Sequence, residues 1–319
     1  MQKRYVATLG KVLPMNQRLN LPVALLLTVP PLMWAGNAVV GRAVADLIPP
    51  MMLNFLRWVL AFAFLLPFAW QVLKSGSSVW KNYKRYLVLG LLGVGCYNAL
   101  MYLALHTSTP LNVTLVGASM PMWMLATGAL FFNQRIARMQ VLGSVLSLLG
   151  VLVVLSRGQL TWLANVQFVP GDFYMVLASI AWAFYSWMLS QPKDAPEIRN
   201  DWAAFLMAQM IFGLGWSGLL AGGEWALSPA SSASASAIQW GWPLAAALLY
   251  VAVGPALMAY RCWGLGVQRV GPAIAGFFAN LTPLFAAVLS VVFLGELPHL
   301  YHALAFGLIA GGIVVSARK

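Results

Sequence analysis

Ten stretches of this chain run for roughly 17 to 24 residues with very little charge, a length that matches a membrane crossing. They lie at about 21–41, 50–73, 86–106, 111–132, 139–156, 172–190, 202–222, 243–266, 273–294 and 300–316. A helix rises about 1.5 Å per residue, so some 20 residues reach across the ~30 Å hydrocarbon layer of a bilayer. In lipid every backbone N–H and C=O must be satisfied within the protein, which leaves only helices or closed barrels. These runs are long and lack the alternation of barrel strands. They predict an all-α membrane protein with ten transmembrane helices. Composition closes off the soluble alternative. The chain is 61% hydrophobic and 8% charged, against about 45–50% and about 25% in soluble domains. Too few charges remain to cover a soluble surface.

The net charge of +12 is explained by topology. With the N-terminus inside, all nineteen lysines and arginines but four (Arg42, Arg57, Arg157 and Arg261) fall on cytoplasmic segments. That bias places both termini in the cytoplasm. Nucleic-acid binding is not needed to account for it. Residues 1–19 form a basic cytoplasmic lead-in without a signal-peptide pattern, so the first apolar run is expected to stay as a helix. Cys96 and Cys262 lie in apolar runs and read as free thiols.

The chain also repeats itself. Residues 120–135, MPMWMLATGALFFNQR, share their spacing with residues 282–297, TPLFAAVLSVVFLGEL. At an offset of 162, Pro110 falls on Pro272, Pro121 on Pro283, Gln134 on Glu296 and Gly150 on Gly312. At an offset of 148, WAGN (34–37) falls on WAFY (182–185). Each half holds five spans, an odd number, so the second half enters the membrane upside down relative to the first. Such inverted repeats build secondary transporters, with the substrate site near the midplane between the halves. The expected organisation is a lead-in (1–19), a first repeat (20–156), an external connection (157–171) and a second repeat (172–317). SPASSASASA (228–237) reads as a flexible external loop.

The segments WAGNAVVGRAVADLIPPMMLNFLRW, GASMPMWMLATGALFFNQRIARMQVLGSVLSLLGVLVV and NLTPLFAAVLSVVFLGELPHLYHALAFGLIAGGIVV resemble the two EamA repeats of the drug/metabolite transporter superfamily. The resemblance covers nearly the whole chain beyond the lead-in. It departs from the family pattern at Gln134, where the first repeat commonly has Glu. It implies a ten-helix carrier of the bacterial inner (plasma) membrane, commonly an exporter of amino acids or other small metabolites. Arg57 stands where the family often has an arginine. The alternatives are a small-multidrug-like efflux carrier, a membrane enzyme and a non-transporting scaffold.

Candidate site residues follow from chemistry. Pro121 and Pro283 lie about ten residues into their helices and remove a backbone donor, which suits either a hinge beside a polar cavity or a static kink. Trp34, Asn37, Tyr97, Asn98, Tyr102, Asn112, Trp182, Tyr185, Tyr260 and Asn280 supply amide groups and flat walls with one polar tip. That combination suits a small polar organic molecule, although any one of them can serve instead as an interhelical hydrogen bond. Arg57 is costly in lipid and must face protein or water; it suits a substrate anion or a structural role. Arg261 is placed to snorkel. No carboxylate falls at mid-membrane, which argues against a proton relay or a site for lipophilic cations. Glu296, His299 and His302 drift around a helix without a fourth ligand, so no metal site is expected, and no cofactor or catalytic constellation either. The expected partners are a small-molecule substrate and membrane lipid, with the protein a monomer or a dimer.

Overall fold

The computed structural model describes residues 19–108, 110–156, 158–159, 169–227, 238–294 and 299–318. Among these residues the chain is helical and has no strand. Ten apolar helices follow one another: α1 (Leu21–Ala43), α2 (Pro50–Ala69), α3 (Tyr83–Thr107), α4 (Pro110–Phe131, broken at 118–119), α5 (Arg138–Leu155), α6 (Pro170–Ser190), α7 (Trp202–Leu227), α8 (Trp242–Val270), α9 (Pro272–Leu294, broken at 279–281) and α10 (Leu300–Ser316). Nine are long and apolar enough to cross a membrane; α10, with 17 residues, is the short one. Leu130, Leu219, Phe68 and Leu304 point outward, as a lipid-facing surface requires.

Helix starts follow local chemistry. The Asn20 side chain accepts from Val23 N (3.1 Å) at the head of α1, and Pro50, Pro170 and Pro272 open α2, α6 and the first segment of α9. A proline suits the first turn because its missing N–H has no partner there anyway.

The packing reproduces the repeat. α2 lies on α7, α4 on α9 and α5 on α10; α3 lies on α6 as α8 lies on α1, and α4 on α6 as α9 on α1. Exchanging each helix with the one five places on turns this set of pairings into itself. The fold is therefore two five-helix repeats related by a pseudo-twofold, and the odd number of crossings makes the second inverted. Local irregularities obey the same symmetry. α3 widens into a π-helical stretch at Gly90–Cys96 and α8 at Ala252–Met258, 162 residues apart. At the α5–α10 seam, small residues bring the backbones together. A Cβ on Gly312 would stand 2.7 Å from Gly143 O, and one on Gly143 2.6 Å from Gly312 O. Close backbone approach of this kind lets dispersion hold helices in lipid, where hydrophobic burial adds little.

Several sequence expectations change. Pro121 and Pro283 stand just after interruptions of their helices rather than inside continuous ones: α4 runs as Pro110–Gly117 and Met120–Phe131, and α9 resumes at Thr282 after a 3₁₀ turn at Ala279–Leu281. Each proline is the second residue of the later segment, where it costs no hydrogen bond. α7 extends to Leu227, which brings Glu224 into its last turn. There the Glu224 carboxylate accepts Met51 N (3.1 Å) and Met52 N (3.2 Å) at the head of α2. Tyr86, in the first turn of α3, is buried. Trp70 and Trp225 are exposed at span ends, as anchors should be. Glu296 and the loop 228–237 lie outside the described residues.

Candidate functional site

The centre of the bundle holds a cluster of rings. Trp182 on α6 is fully buried. It packs against Trp34 (5.3 Å between centroids), Tyr97 (4.8 Å), Tyr185 (4.9 Å), Tyr260 (5.2 Å) and Trp263 (5.6 Å). Trp58 meets Tyr260 edge-on at 4.9 Å. Five helices contribute: α1, α2, α3, α6 and α8. The π-helical turn of α3 helps to admit them, since a Cβ on Gly93 would stand 2.5 Å from the Tyr185 ring.

A hydrogen-bonded polar network adjoins the rings. Arg57, fully buried, donates through Nη1 to Asn98 Oδ1 (2.8 Å) and to the Tyr102 hydroxyl (2.9 Å). Tyr102 donates to Asn37 Oδ1 (2.8 Å), and Asn37 Nδ2 donates to Asn98 Oδ1 (3.4 Å). Asn98 Nδ2 reaches the Tyr260 hydroxyl (3.3 Å), which in turn donates to Gly93 O. The Arg57 guanidinium also lies 5.3 Å from the centroid of the Trp58 ring. Among the described residues it has no ion pair, and its Nε and Nη2, with Trp58 Nε1 and Trp182 Nε1, have no hydrogen-bond partner.

The structure thus brings together Trp34, Asn37, Arg57, Tyr97, Asn98, Tyr102, Trp182, Tyr185 and Tyr260. Asn112 and Asn280 lie apart. Asn112 Nδ2 donates to Asp172 Oδ2 (3.4 Å) at the head of α6, where Ser108 and Val169 N also donate to that carboxylate. Asn280, in the break of α9, donates to Ser147 Oγ on α5 (2.9 Å). Pro121 and Pro283 are buried beside these breaks. Arg261 is exposed and stacks over Trp202 (4.8 Å). His302 Nδ1 accepts from His299 N (3.1 Å), a capping contact.

Sequence reasoning missed Trp58, Trp263 and Gln209, which accepts from the Tyr185 hydroxyl (2.8 Å). Trp263 was within reach: it stands three residues after Tyr260 and so shares its helix face. Also missed was a clasp between the repeats at the basic end of the bundle. Asp194, in the α6–α7 connection, receives Arg85 Nε (2.7 Å) and Nη2 (2.9 Å) from α3 and Arg199 Nη1 (3.3 Å). Burial holds the Arg199 guanidinium below its usual range, and Asp194 beside it opposes that shift.

The two repeats meet at matched residues. Asn98 and Tyr260, bonded to each other, are 162 apart; Trp34 and Trp182, in edge contact, correspond at the 148 offset. Their chemistry differs. The first repeat supplies Asn37, Arg57 and Asn98; the corresponding residues of the second are Tyr185, Phe205 and Tyr260. At these matched positions the first repeat carries amide and guanidinium groups and the second carries rings, while Trp34, Trp58 and Tyr97 add rings from the first repeat as well.

Comparison with known proteins agrees with the repeat. The model of the EamA-like transporter family matches residues 21–156 and again 169–318. A transporter of Archaeoglobus fulgidus is 26% identical over 94% of this chain and 99% of its own length. The aromatic amino acid exporter YddG of Ancylobacter novellus is 23% identical over 89% of this chain and 93% of its own. One crystal structure superposes with a TM-score of 0.68 at 21% identity, over 92% of this chain and 96% of the other.

Proposed function

Because this chain belongs to the EamA-like transporter family, we propose that it exports small polar metabolites such as amino acids across the bacterial inner (plasma) membrane by alternating access. Its role as an integral membrane transporter rests on the family and on the ten apolar helices; direction, substrate and orientation are the proposal. The basic end of the bundle faces the cytoplasm, by the distribution of lysine and arginine. The substrate sits at the central cluster, between Arg57, Asn98 and the rings of Trp182 and Tyr260. One observation carries this reading: corresponding residues of the two inverted repeats meet there, beside a buried guanidinium with no counter-ion among the described residues. A site on the pseudo-twofold can be exposed to either side by rocking one repeat against the other. YddG of Ancylobacter novellus is named as an exporter of aromatic amino acids, and the ring-lined wall suits a substrate with a planar or apolar side chain. A carrier for lipophilic cations would want a carboxylate where Arg57 stands.

The test is counterflow in liposomes. Purified protein in vesicles preloaded with unlabelled phenylalanine or leucine should accumulate the labelled compound transiently, and Trp182→Ala should abolish this while the protein remains monodisperse. No flux of any amino acid or related metabolite above that of empty vesicles would overturn the reading.

A further inference from the structure

The hydrogen-bond inventory of the central cluster is unbalanced, and the imbalance names a ligand chemistry. Every acceptor of the network is engaged. Asn98 Oδ1 takes Arg57 and Asn37; Asn37 Oδ1 takes Tyr102; the Tyr102 and Tyr260 hydroxyls accept from Arg57 and Asn98 while donating onward. What remains is donors: Arg57 Nε and Nη2, Trp182 Nε1 and Trp58 Nε1, all buried. Among the described residues, the unengaged acceptors beside them are Asn54 Oδ1, whose amide is turned to Val94 O and Gly95 O of α3, and the Tyr97 hydroxyl. No carboxylate bonds to any residue of the network among the described residues.

We infer, building on the transporter reading, that the central site selects aryl or apolar carboxylates that carry no ammonium group, in preference to amino acids. Arg57 offers a carboxylate two parallel N–H groups, the planar fork that matches it best. The guanidinium, which otherwise lacks a counter-ion in low dielectric, gains one. Trp182 and Trp58 add neutral, buried N–H donors, and the rings of Trp182, Tyr260 and Trp263 take the apolar body. An α-ammonium, with three protons to place, finds few free acceptors, Asn54 Oδ1 and the Tyr97 hydroxyl, and it enters the field of Arg57. A buried charge without a partner is strongly disfavoured.

Phenylalanine can be taken apart to test this. 3-Phenylpropanoate is phenylalanine without the amine, phenethylamine is phenylalanine without the carboxyl group, and 3-phenylpropanamide keeps the shape of the acid but not its charge. Equilibrium binding of each to purified wild-type protein in detergent avoids the leak of weak acids through vesicles. 3-Phenylpropanoate should bind at least ~10-fold tighter than phenylalanine and than the amide, with phenethylamine weakest. Arg57→Gln should lose at least ~10-fold in affinity for the acid alone, Arg57→Lys should keep part of it, and Trp182→Phe should lose a few-fold by removing one donor. Equal or tighter binding of phenylalanine, or of the amide, overturns the inference and leaves the transporter reading standing. Binding of none of the four also overturns it. The transporter reading falls separately, when no metabolite moves in the counterflow assay.

Discussion

Asp194→Asn is predicted to be the most destabilising single-atom exchange in the connections of this protein. The Asp194 side chain is fully buried, and the Arg85 and Arg199 side chains that share it are only 11% and 7% exposed. The asparagine keeps the shape and deletes the charge. Two nearly buried guanidiniums are then left facing the carbonyls of Met188, Ser190 and Gln191 with no anion between them. Removing one member of a buried ion pair costs about 3–5 kcal/mol. Asp172→Asn is the matched control at the other end of α6. Its carboxylate is equally buried, but its partners are neutral: Ser108, Asn112 and Val169 N. There the loss is that of charge-assisted hydrogen bonding alone, about 1–2 kcal/mol. Unfolding in mixed detergent micelles measures both. A second variant that pairs Asp194→Asn with Arg85→Met and Arg199→Met removes all three charges and should recover most of the loss, because the stranded cations are the cause. Asp194→Asn within ~1 kcal/mol of wild type, or a larger effect for Asp172→Asn, would refute the reasoning.

Three further outcomes are expected. A cytoplasm-active reporter fused after Lys319 should give signal, and one inserted within 228–237 should not; equal signals would contradict the orientation read from the basic residues. Gly312→Ala places a methyl group 2.7 Å from Gly143 O, against backbone that has no rotamer to change. It should destabilise by about 1–3 kcal/mol, whereas Gly307→Ala, with open space around it, should be neutral or slightly stabilising in the same unfolding assay. In liposomes loaded with a substrate, efflux should persist when a protonophore collapses the pH gradient, since the central network contains no carboxylate to carry a proton. Uphill uptake driven by an imposed pH step would count against this and direct mutation to Asp46 and Glu296.

The fold was legible because each of its determinants is local. Span length, the odd count per half and the recurrence of Pro110 at Pro272 need only one strand of text to be read. The site was legible to the extent that polar and aromatic residues inside an apolar run have few places to go: Arg57, Asn98 and Tyr260 were conspicuous for that reason, and they meet. Asn112 and Asn280 were equally conspicuous, yet they serve a helix head and an interhelical bond, because composition does not say which face of a helix turns to the centre. The breaks at 118–119 and 279–281 fall just before Pro121 and Pro283 rather than at them, since a proline marks the start of a segment as readily as a kink within one. The Asp194 clasp was invisible for another reason. Arg85 and Asp194 lie 109 residues apart, and surface charges at the basic end look alike in sequence whether they are solvated or buried.

Duplication explains why the site is central, but a perfectly symmetric site would have a defect. A ligand on an exact twofold axis binds equally well in two opposed orientations, so half of each end group would meet the wrong wall. The chain keeps the symmetry of the backbone, which rocking between two states requires, and discards it in the side chains. Asn98 faces Tyr260 rather than another amide, Asn37 corresponds to Tyr185, and Arg57 corresponds to Phe205. On the proposed reading, the polar end of a ligand is held by Arg57 and Asn98 of the first repeat and its apolar body mainly by Trp182, Tyr260 and Trp263 of the second, so each repeat keeps hold of a different part as the two move. Under this view, exchanging the chemistry of the walls should matter more than changing their volume. Tyr260→Asn, which restores the residue of the first repeat, should weaken binding of a ring-bearing carboxylate more than Tyr260→Phe, although the phenylalanine also loses the hydroxyl that bonds Gly93. If Tyr260→Phe proves the worse of the two, the hydroxyl network rather than the ring wall holds the ligand, and the division of labour between the repeats is wrong.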